Sequence, residues 1–194
     1  MPDYDATTVL VVVDVQNDFA DPLGGLYVSG GEAVVPVVNG EVSQAGAAGA
    51  FVVYTQDWHP PETPHFAKDG GVWPVHCVAG TWGAAFHPSL EVAGEVVQKG
   101  TGGEDGYSGF TIRDPKTGAE SGTGLEEMLR ERGIQRVVVV GLATDYCVKD
   151  TAIDAARKGF DTTVLRNAIR AVNLSVEDGD NAISAMEAAG ARVS

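Results

Sequence analysis

Five runs of apolar residues recur along the chain, at 9–13, 51–54, 96–97, 136–140 and 162–165, and most are rich in valine. Their apolar character is continuous rather than alternating, the pattern of strands buried on both faces. Between several of them the spacing becomes helical. Leu125, Met128 and Leu129 precede an Arg132-Gly133 stop; Ala152, Ile153, Ala155 and Ala156 follow a Thr144/Asp145 N-cap candidate and end at Gly159. Residues 177–189 read as a last helix. The stretch 28–49, rich in Ala, Val and Gly, reads as a helix with Pro36 in its first turn, where proline is tolerated. Strands alternating with helices predict an α/β fold, a three-layer sandwich whose central, mainly parallel sheet is flanked by helices.

Two segments look loop-like. Residues 57–88 carry five of the nine prolines and all four histidines, and 100–124 is rich in glycine and polar residues. Loops of this length usually carry function. There is no repeat and no linker, so 194 residues read as a single domain, 1–194. Thirteen basic against 27 acidic residues give a formal charge of −14, which argues against nucleic acid or an anionic membrane as partner. No apolar run approaches the roughly 18 residues of a membrane span. Acids rather than bases stand at the N-terminus, and the expectation is a cytoplasmic protein with a small-molecule substrate. Its two cysteines would then be thiols, either inert or nucleophilic, and homo-oligomerisation is left open.

In a sheet of this kind ligands sit beyond the carboxyl ends of the strands, and four successive strand ends carry reactive groups. The first ends in Asp14, within Val13-Asp14-Val15-Gln16-Asn17-Asp18-Phe19. An acid there either caps local backbone N–H groups or serves as a general base or acid. The second ends in Asp57-Trp58-His59, followed by His65 and His76. A carboxylate and three imidazoles suit zinc, iron or manganese, although the spacing matches no compact ligand motif and also fits ordinary surface histidines. His87 has no acid near it in sequence and reads as structural. The third strand ends in Lys99; on residue type alone it reads as a snorkelling surface lysine. The fourth leads through Gly141-Leu142-Ala143-Thr144-Asp145-Tyr146 to Cys147, in the first turn of a helix. Such a position favours a thiolate and can hold an oxyanion, whereas an isolated cysteine is often only a small buried residue. Cys77 has no helix start and reads as inert. An acid, a metal-type cluster, a lysine and a thiol on four consecutive strand ends favour an enzyme.

These blocks, together with Trp73-Pro74-Val75-His76-Cys77-Val78, Lys99-Gly100 and Tyr107-Ser108-Gly109-Phe110, resemble the nicotinamidase/pyrazinamidase family of isochorismatase-like cysteine hydrolases. The likeness runs in order from about residue 9 to the last helix. It implies a catalytic triad of Asp14, Lys99 and Cys147. It implies one divalent metal ion on Asp57, His59, His65 and His76 that binds the pyridine nitrogen of the substrate. It also implies a cis peptide before Ala143, an oxyanion hole from the Ala143 and Cys147 N–H groups, and an aromatic wall of Phe19, Trp73 and Tyr107. Tyr146, at the pocket edge, stands where many bacterial members have histidine, and residues 101–106 differ in composition from related chains.

The implied reaction converts nicotinamide to nicotinate and ammonia through a Cys147 thioester, with pyrazinamide as a second substrate. Two other readings stay open on the residues. A relative acting on a carbamoyl or ureido compound needs the thiol but no ring-binding metal. A non-catalytic metal- or ligand-binding domain needs the metal cluster but not the thiol. Isochorismate hydrolysis is disfavoured, because it uses no cysteine at this position.

Overall fold

Six strands form one sheet in the computed structural model, which describes residues 2–194. In chain order the strands are β1 (Thr8–Val13), β2 (Phe51–Asp57), β3 (Glu95–Lys99), β4 (Thr111–Arg113), β5 (Glu120–Gly122), β6 (Arg136–Leu142), β7 (Asp161–Arg170) and β8 (Arg192–Val193). The sheet order is β3-β2-β1-β6-β7-β8 and every pair in it is parallel. The helices are α1 (Asn17–Ala20), α2 (Val35–Ala47), α3 (Leu125–Glu131), α4 (Lys149–Arg157) and α5 (Asp178–Ala188).

The continuous valine run of β1 has a direct structural consequence. Successive side chains leave a strand on opposite faces. Leu10 and Val12 therefore pack with Val35, Val38, Val42 and Ala45 of α2. Val9, Val11 and Val13 pack on the other side with Leu125 and Leu129 of α3, Ala152 and Ala155 of α4, and Met186 of α5. Two apolar clusters on the two faces of one sheet make the three layers expected of an α/β fold. Each fully buried valine contributes roughly 1.5–3 kcal/mol relative to an exposed one. No helix among the described residues is long and apolar enough to cross a membrane.

Three local expectations change. Residues 28–30 form a turn rather than helix. A 3₁₀ turn, Gly31–Val34, then leads into α2, whose first turn holds Pro36. Space is the reason at Gly31, where a Cβ would come within 2.8 Å of the Phe19 carbonyl oxygen. The loop-like stretch 100–124 contains the β4–β5 antiparallel hairpin. Thr144 and Asp145 do not cap a helix: the turn Thr144–Val148 is π-helical, with no side-chain cap. Asp145 instead accepts the backbone N–H groups of Val172 and Asn173, both at 2.9 Å, and ties the end of β6 to the segment after β7.

Strand order decides where a site can form. From β1 the chain proceeds outward to β2 and β3; from β6 it proceeds the other way, to β7 and β8. The carboxyl ends of β1 and β6 therefore flank the switch point, where loops diverge and leave a crevice.

Candidate active site

The crevice gathers residues from the ends of β1, β2, β3 and β6. Asp14 follows β1 with φ 47° and is fully buried. Its Oδ1 accepts a hydrogen bond from the Thr55 hydroxyl at 2.6 Å. Its Oδ2 lies 2.9 Å from the Lys99 ammonium. Asp57 and Lys99 are register partners across β2 and β3, so the two side chains are neighbours and form a second ion pair. Lys99 is 2% exposed. That overturns the snorkelling reading: the lysine stays inside because two carboxylates meet it there. Its Nζ also stands 3.7 Å from the Cys147 sulfur. Gly100 lets the chain turn immediately after the lysine. Its φ is 78°, and a Cβ there would come within 2.6 Å of the His59 ring.

Burial pulls the Lys99 ammonium down, but Asp14 and Asp57 outweigh it and hold its pKa well above the ordinary lysine value. For Asp57, burial raises the carboxyl, yet Lys99, His59 and His76 together hold it well below the usual range. For Asp14 burial prevails over Lys99, and the carboxyl sits above its ordinary value. The cluster thus offers a permanent cation, a permanent anion and one carboxylate poised to take up a proton.

Cys147 lies in the π-helical turn ahead of α4, after a cis peptide between Leu142 and Ala143. The helix start was expected to favour a thiolate. Burial instead pushes the thiol well above its ordinary value, with Lys99 pulling the other way. The resting group is therefore a thiol, and it needs a base. Ligand atoms of Asp14, Asp57 and Cys147 all lie within 4.8 Å of one another. Cys77 is buried with φ 45°, and its backbone N–H donates to Asp18 at 2.7 Å. Burial raises its thiol too, and the Asp18 carboxylate beside it is engaged by the backbone N–H groups of Cys77 and Gly25.

His59, His65 and His76 bring ligand nitrogens within 4.8 Å of one another. The His59 and His76 Nε2 atoms stand 3.7 and 3.9 Å from Asp57 Oδ2. His76 Nδ1–H donates to the Pro74 carbonyl at 2.8 Å, which leaves its Nε2 lone pair for the cluster. Burial pushes the His76 pKa down to about 4 and lowers that of His65 as well, so both present neutral rings. Neither His59 nitrogen has a hydrogen-bond partner among the described residues, although both are buried. An orphaned, buried imidazole beside two neutral imidazoles and a carboxylate fits a borderline divalent metal. His87 lies apart, its Nδ1 accepting the Ser89 N–H at 3.2 Å.

The same pocket is walled by Phe19, Trp73, Tyr107 and Tyr146, with Leu26, Val28 and Val172. Trp73 Nε1–H donates to the Tyr107 hydroxyl at 3.1 Å. Tyr146 packs edge-on against Trp73 and Tyr107, with centroids 5.0 and 5.4 Å away. The result is an apolar slot for a flat ring, with Cys147, Ala143 and the three histidines also in its lining.

Several contributors escaped the sequence reading. Thr55 lies two residues before Asp57 on β2, and strand alternation would have placed both on one face. Gln16 donates to the Asp57 and Ala84 carbonyls and accepts the Asp57 N–H, each at 2.8 Å, which locks the end of β2. Asp105, which meets His65 Nδ1, carries no local signal.

Comparison with known proteins shows which chains and folds this one is similar to. The isochorismatase domain matches residues 8–194. The nicotinamidase/pyrazinamidase of Mycobacterium tuberculosis is 42% identical over 185 residues, covering 92% of this chain and 91% of that one. The crystal structure of a Pyrococcus horikoshii pyrazinamidase in complex with zinc superposes with a TM-score of 0.86 at 37% identity, covering 97% of this chain and 98% of that one. PnC1 from L. infantum, in complex with nicotinate, gives a TM-score of 0.89 at 36% identity, covering 98% and 94%.

Proposed function

The chain belongs to the isochorismatase domain family, and from that premise we propose that it hydrolyses nicotinamide to nicotinate and ammonia, and accepts pyrazinamide as well. One observation carries the reading. A buried thiol and a three-histidine cluster line one aromatic slot, and Asp14, the carboxylate that can take the thiol's proton, lies within 4.8 Å of the sulfur. The nicotinamidases and the zinc- and nicotinate-bound structures similar to this chain support it. A divalent metal held by the three histidines and Asp57 would favour a substrate with a ring nitrogen over the carbamoyl or ureido substrates of other cysteine amidohydrolases, which have no such nitrogen.

Phe19, Trp73, Tyr107 and Tyr146 hold the ring flat and exclude water. Asp14 accepts the Cys147 proton as the sulfur attacks the carboxamide carbon. The N–H groups of Ala143 and Cys147 receive the charge that develops on the carboxamide oxygen. Asp14 then returns the proton to the departing ammonia, leaving a thioester on Cys147. Water, deprotonated by Asp14, hydrolyses the thioester and restores the thiol. Lys99 favours the ionised form of Asp14 each time it must accept a proton. Asp57, His59, His65 and His76 would hold zinc, iron or manganese, which when bound supplies a coordination partner that orients the pyridine nitrogen. Both cysteines are free thiols, and we place the enzyme in the cytoplasm on that basis. Ammonia release from nicotinamide by the purified protein, with metal analysis of the same sample, tests this function; no ammonia from metal-loaded protein would end it.

Two further results are expected. Stripping the metal, or His59→Ala, raises KM for nicotinamide by about tenfold or more, since a directional contact to a charged centre is worth roughly 1.5–3 kcal/mol. Full activity and unchanged KM in metal-free protein would remove the metal from the mechanism. Lys99→Met keeps the apolar stem and deletes the charge. Without Lys99 the Asp14 pKa rises further above its ordinary value, because the one neighbour that lowers it strongly is gone. Asp14 must be ionised to act, so the acid limb of the pH–rate profile moves upward. An unmoved limb with normal turnover would leave Lys99 without a part in proton transfer.

A further inference from the structure

The proposed metal cluster has one support that the likeness to other proteins did not supply. His65 Nδ1 is in contact with Asp105 Oδ1, and Asp105 is partly buried. Asp105 lies in 100–124, the stretch that had looked like unstructured loop. It is anchored there by Arg113, through both backbone and side chain. Its backbone exchanges hydrogen bonds with Arg113 of β4, at 2.7 Å in one direction and 2.6 Å in the other. Its Oδ2 lies 3.6 Å from the Arg113 guanidinium. The small β4–β5 hairpin therefore holds a carboxylate at a fixed place against one imidazole.

Geometry at the other two histidines shows what that contact does. A histidine offers a metal only one nitrogen, and the other must be protonated or otherwise engaged. His76 solves this with the Pro74 carbonyl. Both His59 nitrogens are buried without a partner. His65 has no backbone carbonyl at Nδ1 and uses Asp105 instead, which leaves Nε2 as the atom it can offer. A carboxylate that accepts Nδ1–H also makes the opposite nitrogen more basic and stops the ring from turning.

We propose that Asp105 is the positioning residue of the metal site: by accepting the His65 Nδ1–H it fixes the tautomer and the ring orientation that present Nε2 to the ion, with the β4–β5 hairpin as its mount. The inference rests on the metal reading above. It makes the hairpin, remote in sequence from every ligand except through this contact, a determinant of metal affinity.

The test compares zinc affinity of wild type, Asp105→Asn and Asp105→Ala by competition with a chromophoric chelator. Thermal unfolding of the zinc-free forms is measured alongside. Partners of this kind typically contribute 10–100-fold in metal affinity, and that loss is expected for Asp105→Ala, with little change in the melting of the zinc-free protein. Asp105→Asn is expected to fall between wild type and Asp105→Ala, because its amide oxygen can still accept Nδ1–H but carries no charge. Arg113→Ala removes only a partly exposed ion pair and keeps affinity within about fivefold. Nitrogen-15 spectra of the zinc-free protein should show His65 as the Nδ1–H tautomer in wild type and as a mixture in Asp105→Ala. Equal zinc affinity in wild type and both Asp105 variants overturns the inference alone. A wild-type chain that holds no zinc overturns the metal reading and the inference with it. If Asp105→Ala fails to fold, the affinity and tautomer of Asp105→Asn decide, and wild-type values for both overturn it.

Discussion

Cys147→Ala is expected to abolish ammonia release from nicotinamide, a loss on the order of 10⁴-fold or more, as removal of a covalent nucleophile produces in other hydrolases. The fold should not notice. The side chain is small and buried, and Lys99 stays paired with both Asp14 and Asp57 without it. Metal content should also be unchanged, because Cys147 is not one of the four residues proposed to hold the ion, Asp57, His59, His65 and His76. Binding and chemistry therefore separate in this variant: nicotinamide is still held, and it is not cleaved. Cys77→Ala supplies the contrast. That thiol is equally buried, but its surroundings are the Asp18–backbone contact and the Gly83 carbonyl rather than a base. Activity should survive its loss. Normal turnover by Cys147→Ala would refute the thioester route, and a non-catalytic ligand-binding role would then be the better account of the pocket.

Asp14→Asn should cost turnover roughly 10²–10⁴-fold, the range that a positioned general acid–base contributes. The amide retains the shape and can still accept the Thr55 hydroxyl, so the change removes proton transfer and little else. Need for a base follows from the resting state of the sulfur. Burial holds Cys147 well above the ordinary thiol pKa, and Lys99 only partly offsets it. Without an acceptor the thiol stays protonated when nicotinamide arrives, and no group returns a proton to the leaving ammonia. Asp57 cannot substitute, since the Lys99 ammonium holds its carboxyl well below the usual range against its burial and keeps it a poor proton acceptor. Steady-state kinetics provide the measurement: kcat falls while KM changes little, because Asp14 does not touch the ring-binding wall. Turnover within a few fold of wild type would assign the proton to another group.

Much of the site was legible because its parts are local. The valine runs announce strands buried on both faces, and the helix spacing after them announces the layers. Asp57 and His59 lie on one strand end two residues apart, and the block from Gly141 to Cys147 spans a single strand-to-helix turn. Such features depend on residues close in sequence, whose relative positions follow from backbone periodicity. Lys99 shows the limit. By residue type it was a surface lysine; its burial is decided by Asp57, 42 positions away, which strand register places beside it.

By itself, then, the sequence determined β1, β2, β3, β6 and β7, the main helices that cover them, and which strand ends bear an acid, imidazoles, a lysine and a thiol. Tertiary structure alone decided which of those groups share a proton. Asp14 meets Thr55 from 41 positions away and His65 meets Asp105 from 40, and neither pairing leaves a trace in local pattern. Only tertiary structure reversed the sign at Cys147, where a helix start suggested an acidic thiol and burial produced the opposite. Periodicity and turn chemistry act over a few residues and can be read along the chain. Desolvation and ion pairing depend on what every other segment removes from water, and that exists only once the sheet has assembled.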